Sequence, residues 1–292
     1  MAVAVGKVKV FGFLTHFRRF AVCILPDFPY FCKNNGIIMK KQLVIFCCVA
    51  CAVAATSCRS HYQVTDIQRT RILVDQAYDA TPDAQAAAFI KPYQHEVDSV
   101  MSPVVGSCAR YMAAKRPESN LSNLLADILV WGGKMYNETP QMAVYNMGGI
   151  RAGFAEGKVN YGQVVDVAPF ENKICFLTLT GEHLMELFAQ IAARHGEGVS
   201  HGVELAITKD GKLVSARLNG QEIDPNASYR VATLDYLAQG NDGLVAFKAA
   251  KDLVSPQEAR NNVRFIIMDY FREQAKQGKA VDAQVEGRIV EE

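Results

Sequence analysis

The chain is poor in the residues from which metal centres are built. Residues 59–292 hold only His61, His95, His183, His195 and His201 and contain neither an HExxH nor a CxxC pair. The usual zinc-site spacings are therefore missing from that part of the chain. His195 and His201 lie in the loop RHGEGVSHG, where a metal-ligand role competes with that of plain loop histidines, because no cysteine or acidic cluster accompanies them. Both GxxxxGK[ST] and GxGxxG are missing, so no phosphate loop of either kind exists; no serine nucleophile elbow is assigned. Basic excess is missing as well. Residues 1 to 58 hold seven Lys/Arg and one Asp, which leaves 24 basic and 29 acidic side chains beyond them, net −5. A mildly acidic surface excludes a long nucleic-acid polymer as partner, since that would need a basic face.

The longest apolar run, Leu43 to Ala55, is shorter than the roughly 20 residues a spanning helix needs. It follows the basic start Met39-Lys40-Lys41 and ends at Ala55-Thr56-Ser57-Cys58, which is the order of a secretory signal with small residues at its end. The terminal cysteine resembles that of a bacterial lipoprotein, in which Cys58 would be lipidated and anchor an exported protein, periplasmic or on the cell surface. The alternative is a buried helix with chance cysteines. Since a signal must stand at the N-terminus, the sequence predicts translation from Met39 and makes residues 1–38 an upstream extension without evident use. Residues 39–58 are then the signal, 59–103 a tether and leading helix, and 104–280 the folded domain. Of the cysteines beyond the signal, Cys108 and Cys175 could pair in an oxidising compartment, but Cys175 sits in an apolar run that suits a free buried thiol.

Periodicity then gives the elements. A helix follows Pro82-Asp83 through Ala87, Ile90, Tyr93, Val97 and Val100, and a second opens at Ser119 with Leu121, Leu124, Leu125, Ile128 and Leu129 on one face. Met142 to Tyr145 and Ile174 to Leu179 read as buried strands, with an amphipathic helix over Gly181 to Ala193. Val203 to Thr208 and Leu213 to Leu218 flank Lys209-Asp210-Gly211 as a hairpin, Tyr229 to Thr233 is one more strand, and a last helix runs from about Arg260 to Gln277. Helices and hairpins without regular βαβ alternation indicate an α+β fold.

Three stretches carry chemistry. NMGGIR, Asn146 to Arg151, puts paired glycines and a guanidinium at the end of an apolar run, which suits a small oxyanion. APFEN, Ala168 to Asn172, leaves an aromatic at a strand mouth, and DYLAQGNDG, Asp235 to Gly243, combines an aromatic with a glycine-bracketed Asn-Asp able to accept from a diol. Taken singly they could be a strand-ending turn, a core phenylalanine and a loop. Together they make a nucleotide site: two rings to stack a base, an acid for ribose and an arginine for phosphate.

NMGGIR, APFENK followed by LTG, and DYLAQGNDG, in that order between about Val104 and Phe271, resemble the C-terminal, substrate-binding domain of the 5′-nucleotidase family. That family includes UDP-sugar hydrolases and 2′,3′-cyclic-nucleotide phosphodiesterases. The resemblance implies a single domain of mixed sheet and helices, with Arg151 holding phosphate, Asn146 beside it, Phe170 and Tyr236 clamping the base and Asp242 on the ribose. It also implies a basic residue just before the helix at Ser119, either Lys115 or Arg116, and a backbone contribution at Gly202 to the base pocket.

Full-length relatives of that kind carry two metals on DxH, GD, GNH and GHxH motifs in an N-terminal metallophosphoesterase domain, and none of these motifs occurs in this chain. The resemblance thus implies no cofactor in this chain, divalent metals on a separately encoded catalytic partner, and a nucleotide or nucleoside as ligand. The helix Leu121 to Leu129, or the segment Ile72 to Val100, would be the docking surface. A non-catalytic nucleoside- or nucleotide-binding lipoprotein is the alternative.

Overall fold

The computed structural model describes residues 3–6, 46, 49, 69–72, 76, 80 and 83–292, and divides into Met1–Ala84 and Gln85–Glu292. Cys58 and the signal expected around it lie outside the described residues. In the first unit, strand β1 (Val3–Gly6) pairs antiparallel with β2 (Arg69–Ile72). Among the described residues no helix is long and apolar enough to cross a membrane.

The second unit has the α+β architecture expected. It opens with α1 (Ala84–Met101), β3 (Val104–Cys108), α2 (Asn120–Gly132) and β4 (Met142–Tyr145). β5 (Gly157–Asn160), α3 (Tyr161–Val167), β6 (Ile174–Thr180) and α4 (Gly181–Ala193) follow. Next come β7 (Gly198–Val199), β8 (Val203–Ile207), β9 (Leu213–Leu218), β10 (Gln221–Glu222) and β11 (Ser228–Leu234). α5 (Asp235–Ala238), β12 (Lys251–Val254), α6 (Val263–Lys276) and β13 (Ile289–Glu291) complete the chain.

A five-stranded sheet in the order β12-β6-β11-β4-β7 forms the centre, with β11 and β4 parallel and the other neighbours antiparallel. β8 and β9 make the expected hairpin, extended by β10 on one side and by the parallel β13 on the other. β3 and β5 form a separate antiparallel pair.

The core lies where the apolar periodicity put it, with one exception in each direction. Helix α2 begins in a reciprocal cap, Ser119 accepting from the Ser122 N–H while Ser122 Oγ accepts from the Ser119 N–H, and Leu121, Leu124, Leu125, Ile128 and Leu129 are all buried. It packs on β4 and α6. This corrects the expectation that α2 might dock a partner: burying each such side chain contributes about 1.5–3 kcal/mol, so that face belongs to the core. In α1 the periodic pattern does produce a helix, but Phe89, Ile90, Tyr93, Val97 and Val100 all remain exposed. Both cysteines, Cys108 and Cys175, are free and buried, and burial pushes each thiol up to about 12.

Candidate functional site

Strand direction gathers the three motifs on one edge of the central sheet. β4 and β11 run parallel, so their C-terminal ends deliver Asn146 and Asp235-Tyr236 to the same edge. β6 runs against β11 with Ile174 opposite Leu234, which brings APFENK there by its other end. β7 runs against β4 with Tyr145 opposite Gly198, and this register sets Glu197 beside Met147. A one-residue slip would turn these side chains to the opposite face.

Asp242 is the hub. Its Oδ2 accepts from Asn146 Nδ2 at 2.8 Å, its Oδ1 accepts from the Tyr236 hydroxyl at 3.1 Å, and Arg194 Nη2 stands 4.0 Å from Oδ2. The hydrogen bond to Asp242, with some desolvation, holds the Tyr236 phenol above its ordinary range. Asp242 adopts a left-handed φ of 55°, a conformation its short polar side chain tolerates, between Gly240 and Gly243 which share the positive sign. Asn146 is buried, and its Oδ1 has no hydrogen-bond partner among the described residues. A Cβ on Gly149 would come within 2.6 Å of that oxygen, so the second glycine of NMGGIR is needed to leave Asn146 its place.

Beneath Asp242 lies an ion network that no motif announced. The Glu197 side chain is wholly buried (0% exposed), with Oε1 accepting from Arg194 Nε at 2.6 Å and from Arg116 Nη2 at 2.8 Å. Its Oε2 accepts from the Met147 N–H at 2.5 Å, which fastens the network to the start of the glycine turn. Arg116 also donates to the Gly196 carbonyl, and Gly196, at a φ of 102°, passes so close to Pro117 that no side chain fits. Burial opposes ionisation of Arg194, but the hydrogen bond and charge of Glu197, then Asp242, hold its guanidinium above the ordinary value.

The remaining expected residues are placed as follows. Arg116 joins the network, whereas Lys115 is exposed and makes no hydrogen bond or ion pair with the described residues. Arg151 is exposed, with one long hydrogen bond at 3.4 Å to the Gly148 carbonyl, so its guanidinium stands open to solvent. Phe170 and Tyr236 are 48% and 36% exposed and neither ring pairs with another aromatic among the described residues. The Phe170 loop is fixed by Arg264, which donates to the Pro169 carbonyl at 2.7 Å. Gly202 turns at a φ of 88° with its carbonyl accepting from the Asn219 N–H, and its near neighbours belong to that turn.

Gly198-Val199-Ser200-His201-Gly202 spells GxSxG, which corrects the reading that the chain has no such pattern. Its serine is no exposed nucleophile: Ser200 is buried, its Oγ accepts from the Ala143 N–H at 2.8 Å, and a strand follows where an elbow needs a helix. Among the described residues no group of three or more His, Cys, Asp or Glu is placed to hold a metal ion. His201 instead meets Glu286, which with Asp127 neutralises the buried Arg288.

The profile of the family described as "5′-nucleotidase, C-terminal domain" matches residues 101–252. The chain belongs to this family. It is 28% identical over 248 residues to the trifunctional nucleotide phosphoesterase protein YfkN of Bacillus subtilis, covering 78% of this chain and 16% of that protein. With Protein UshA of Escherichia coli it shares 26% identity over 162 residues, 54% of this chain and 30% of the relative. The 5′-nucleotidase precursor of Thermus thermophilus superposes with a TM-score of 0.66 at 25% identity, covering 78% of this chain and 47% of that one. The NAD nucleotidase of Haemophilus influenzae shares the fold, with a TM-score of 0.53 at 19% identity over 77% of this chain and 46% of the other. The chain thus spans less than a third of these two curated relatives and under half of the solved chains.

Proposed function

We propose that this chain is the nucleotide-binding part of a 5′-nucleotidase and acts with a separate metallophosphoesterase chain. The observation that carries the reading is the Asp242 hub: a carboxylate held by Asn146 and Tyr236, with the exposed guanidinium of Arg151 leaving the same glycine turn and two exposed rings on the same sheet edge. Arg151 takes the phosphate, Asn146 lies beside it, Asp242 accepts from ribose hydroxyls, and Phe170 and Tyr236 hold the base. Arg116, rather than Lys115, is the basic residue of the pre-helix motif that serves this site, because Glu197 ties it to the turn. Gly202 contributes backbone to the pocket wall only through the turn it shares with Asn219.

Divalent metals on the partner would supply Lewis-acid activation of the attacking water in phosphomonoester hydrolysis. The part of this chain is to bind and orient the substrate, for which proximity and alignment account for a large share of the rate. The exposed apolar side of α1, from Phe89 to Val100, is the surface offered to that partner. Export and anchoring through Cys58 place the pair outside the cytoplasm. Titrating the purified chain with AMP and adenosine, then assaying AMP hydrolysis after mixing with a metallophosphoesterase chain, tests the proposal. Failure to bind either ligand would sink it. Tight binding with no gain in hydrolysis would favour a nucleotide-capturing lipoprotein.

A further inference from the structure

Asp242 alone cannot read a hydroxyl group fully. A ribose hydroxyl is both donor and acceptor, and a site that discriminates for it must offer an acceptor and a donor together. Asn146 and Tyr236 already donate to the Asp242 carboxylate, so these groups orient it. The donor half has to come from elsewhere.

Arg194 supplies it. Its Nε is used by Glu197, while its two Nη groups make no hydrogen bond to the described residues, and the side chain is 32% exposed at the rim. The separation of 4.0 Å between Arg194 Nη2 and Asp242 Oδ2 is too long for a direct hydrogen bond. It is the span across which one oxygen can stand about 2.8 Å from both, donating to the carboxylate and accepting from the guanidinium. Charge also balances there, since Glu197 and Asp242 together offset Arg116 and Arg194 and a neutral diol adds nothing. The fork is held rigidly: Arg194 ends α4, Glu197 fixes its Nε, and Gln190 of the same helix accepts from the Ala246 N–H at 3.0 Å, which ties the helix to the segment following Asp242.

Resting on the nucleotide reading above, we infer that Arg194 is a specificity-determining residue that pairs with Asp242 to select a ribose diol over a deoxyribose. The test is calorimetric titration of the full chain with AMP, 2′-deoxy-AMP and 3′-deoxy-AMP, on the wild type, Arg194→Gln and Arg194→Lys. Wild type should prefer AMP to at least one deoxy ligand by about tenfold or more, the size of one charge-assisted hydrogen bond. Arg194→Gln should cut that ratio several-fold. Arg194→Lys, which keeps the charge against Glu197 but has no second pair of donors to extend, should cut it as well. The lysine variant also keeps the test open should the glutamine variant misfold. A wild type that binds AMP and both deoxy ligands equally overturns the inference while leaving nucleotide binding intact. Equal loss for all three ligands in both variants overturns it too, because Arg194 would then act only through the placement of Asp242. A wild type that binds none of them refutes the nucleotide reading itself, and this inference with it.

Discussion

Glu197→Gln should be among the most damaging single changes available in this protein that leave shape intact. Glutamine fills the same volume, so no cavity term enters, and what changes is charge and one donor. The Glu197 carboxylate is wholly buried and accepts three hydrogen bonds, from Arg194, Arg116 and the Met147 N–H. Removing one partner of a buried ion pair costs about 3–5 kcal/mol, because the charge left behind is uncompensated. Two features set the lower end of that range. Both guanidinium groups are 32% exposed and can turn in part toward water, and an amide oxygen in the Oε1 position can still accept from both. The amide NH₂ then faces the Met147 N–H, to which it can give nothing, and the two guanidinium charges are left without a counter-charge. An estimate of about 3 kcal/mol follows, and for a domain of this size each kcal/mol lowers Tm by roughly 2–4 °C, so a fall of about 6–12 °C is expected.

Thermal melting followed by far-UV circular dichroism measures it directly. Arg116→Gln and Arg194→Gln, each removing only one of the two cations, should cost less than the change at the shared anion. A Tm within about 2 °C of wild type for Glu197→Gln would refute the reasoning, since it would mean the carboxylate is not supporting the charges around it. The three substitutions also share one network, so their costs should not sum; near-additivity would argue that the two arginines do not depend on one anion.

Arg151→Ala should leave Tm unchanged, because the side chain makes a single long bond, yet weaken AMP by roughly ten- to a hundredfold and adenosine hardly at all; equal losses in calorimetry would make Arg151 structural. Phe170→Ala and Tyr236→Ala should each weaken binding of purine and pyrimidine nucleotides alike, as stacking is tolerant of the base; no effect from either would remove the clamp. Cys108 and Cys175, held at about 12 against an ordinary 9.0, keep protons in the folded state that the unfolded state releases. Their contribution to stability is therefore complete below pH 9 and lost as pH rises toward 12, and unfolding free energy should fall across that window. Denaturant titrations at pH 8 and 10, with Cys108→Ala and Cys175→Ala flattening the dependence, check the sign. Cys58→Ser should release the protein from the membrane fraction; equal partitioning of variant and wild type would refute a lipid anchor.

How far the sequence foretold these results depended on whether an element carries its own signal. Met142 to Tyr145 and Gly181 to Ala193 were legible to the residue because each is a continuous apolar or amphipathic run bounded by polar or glycine positions. β3 and β5 escaped notice, as VVGSC and GKVN are short, contain glycine and find each other only across the intervening fold. β13 is three residues long and is a strand only because β8 offers it an edge. The periodicity of α1 predicted a helix correctly, but period says nothing about what covers the apolar side.

The candidate site divides along the same line. Residues that face a ligand sit in local motifs, because glycines, an arginine or an aromatic must occupy fixed offsets around one small molecule, and those offsets can be read along the chain. Residues that hold them in place obey no such spacing. Glu197 reaches Met147 because β7 pairs with β4 in one register, and Arg116 reaches Glu197 across 81 positions because Gly196 lets two loops touch. The one local sign was a glutamate bracketed by two glycines in HGEGV, an acid in the turn between the end of α4 and the short strand β7. Such an acid must either face water or find cations. With Arg194 three residues before it, a buried ion pair was the arrangement available to the fold, and its position beside Asp242 turns a supporting charge into one that can touch a ligand.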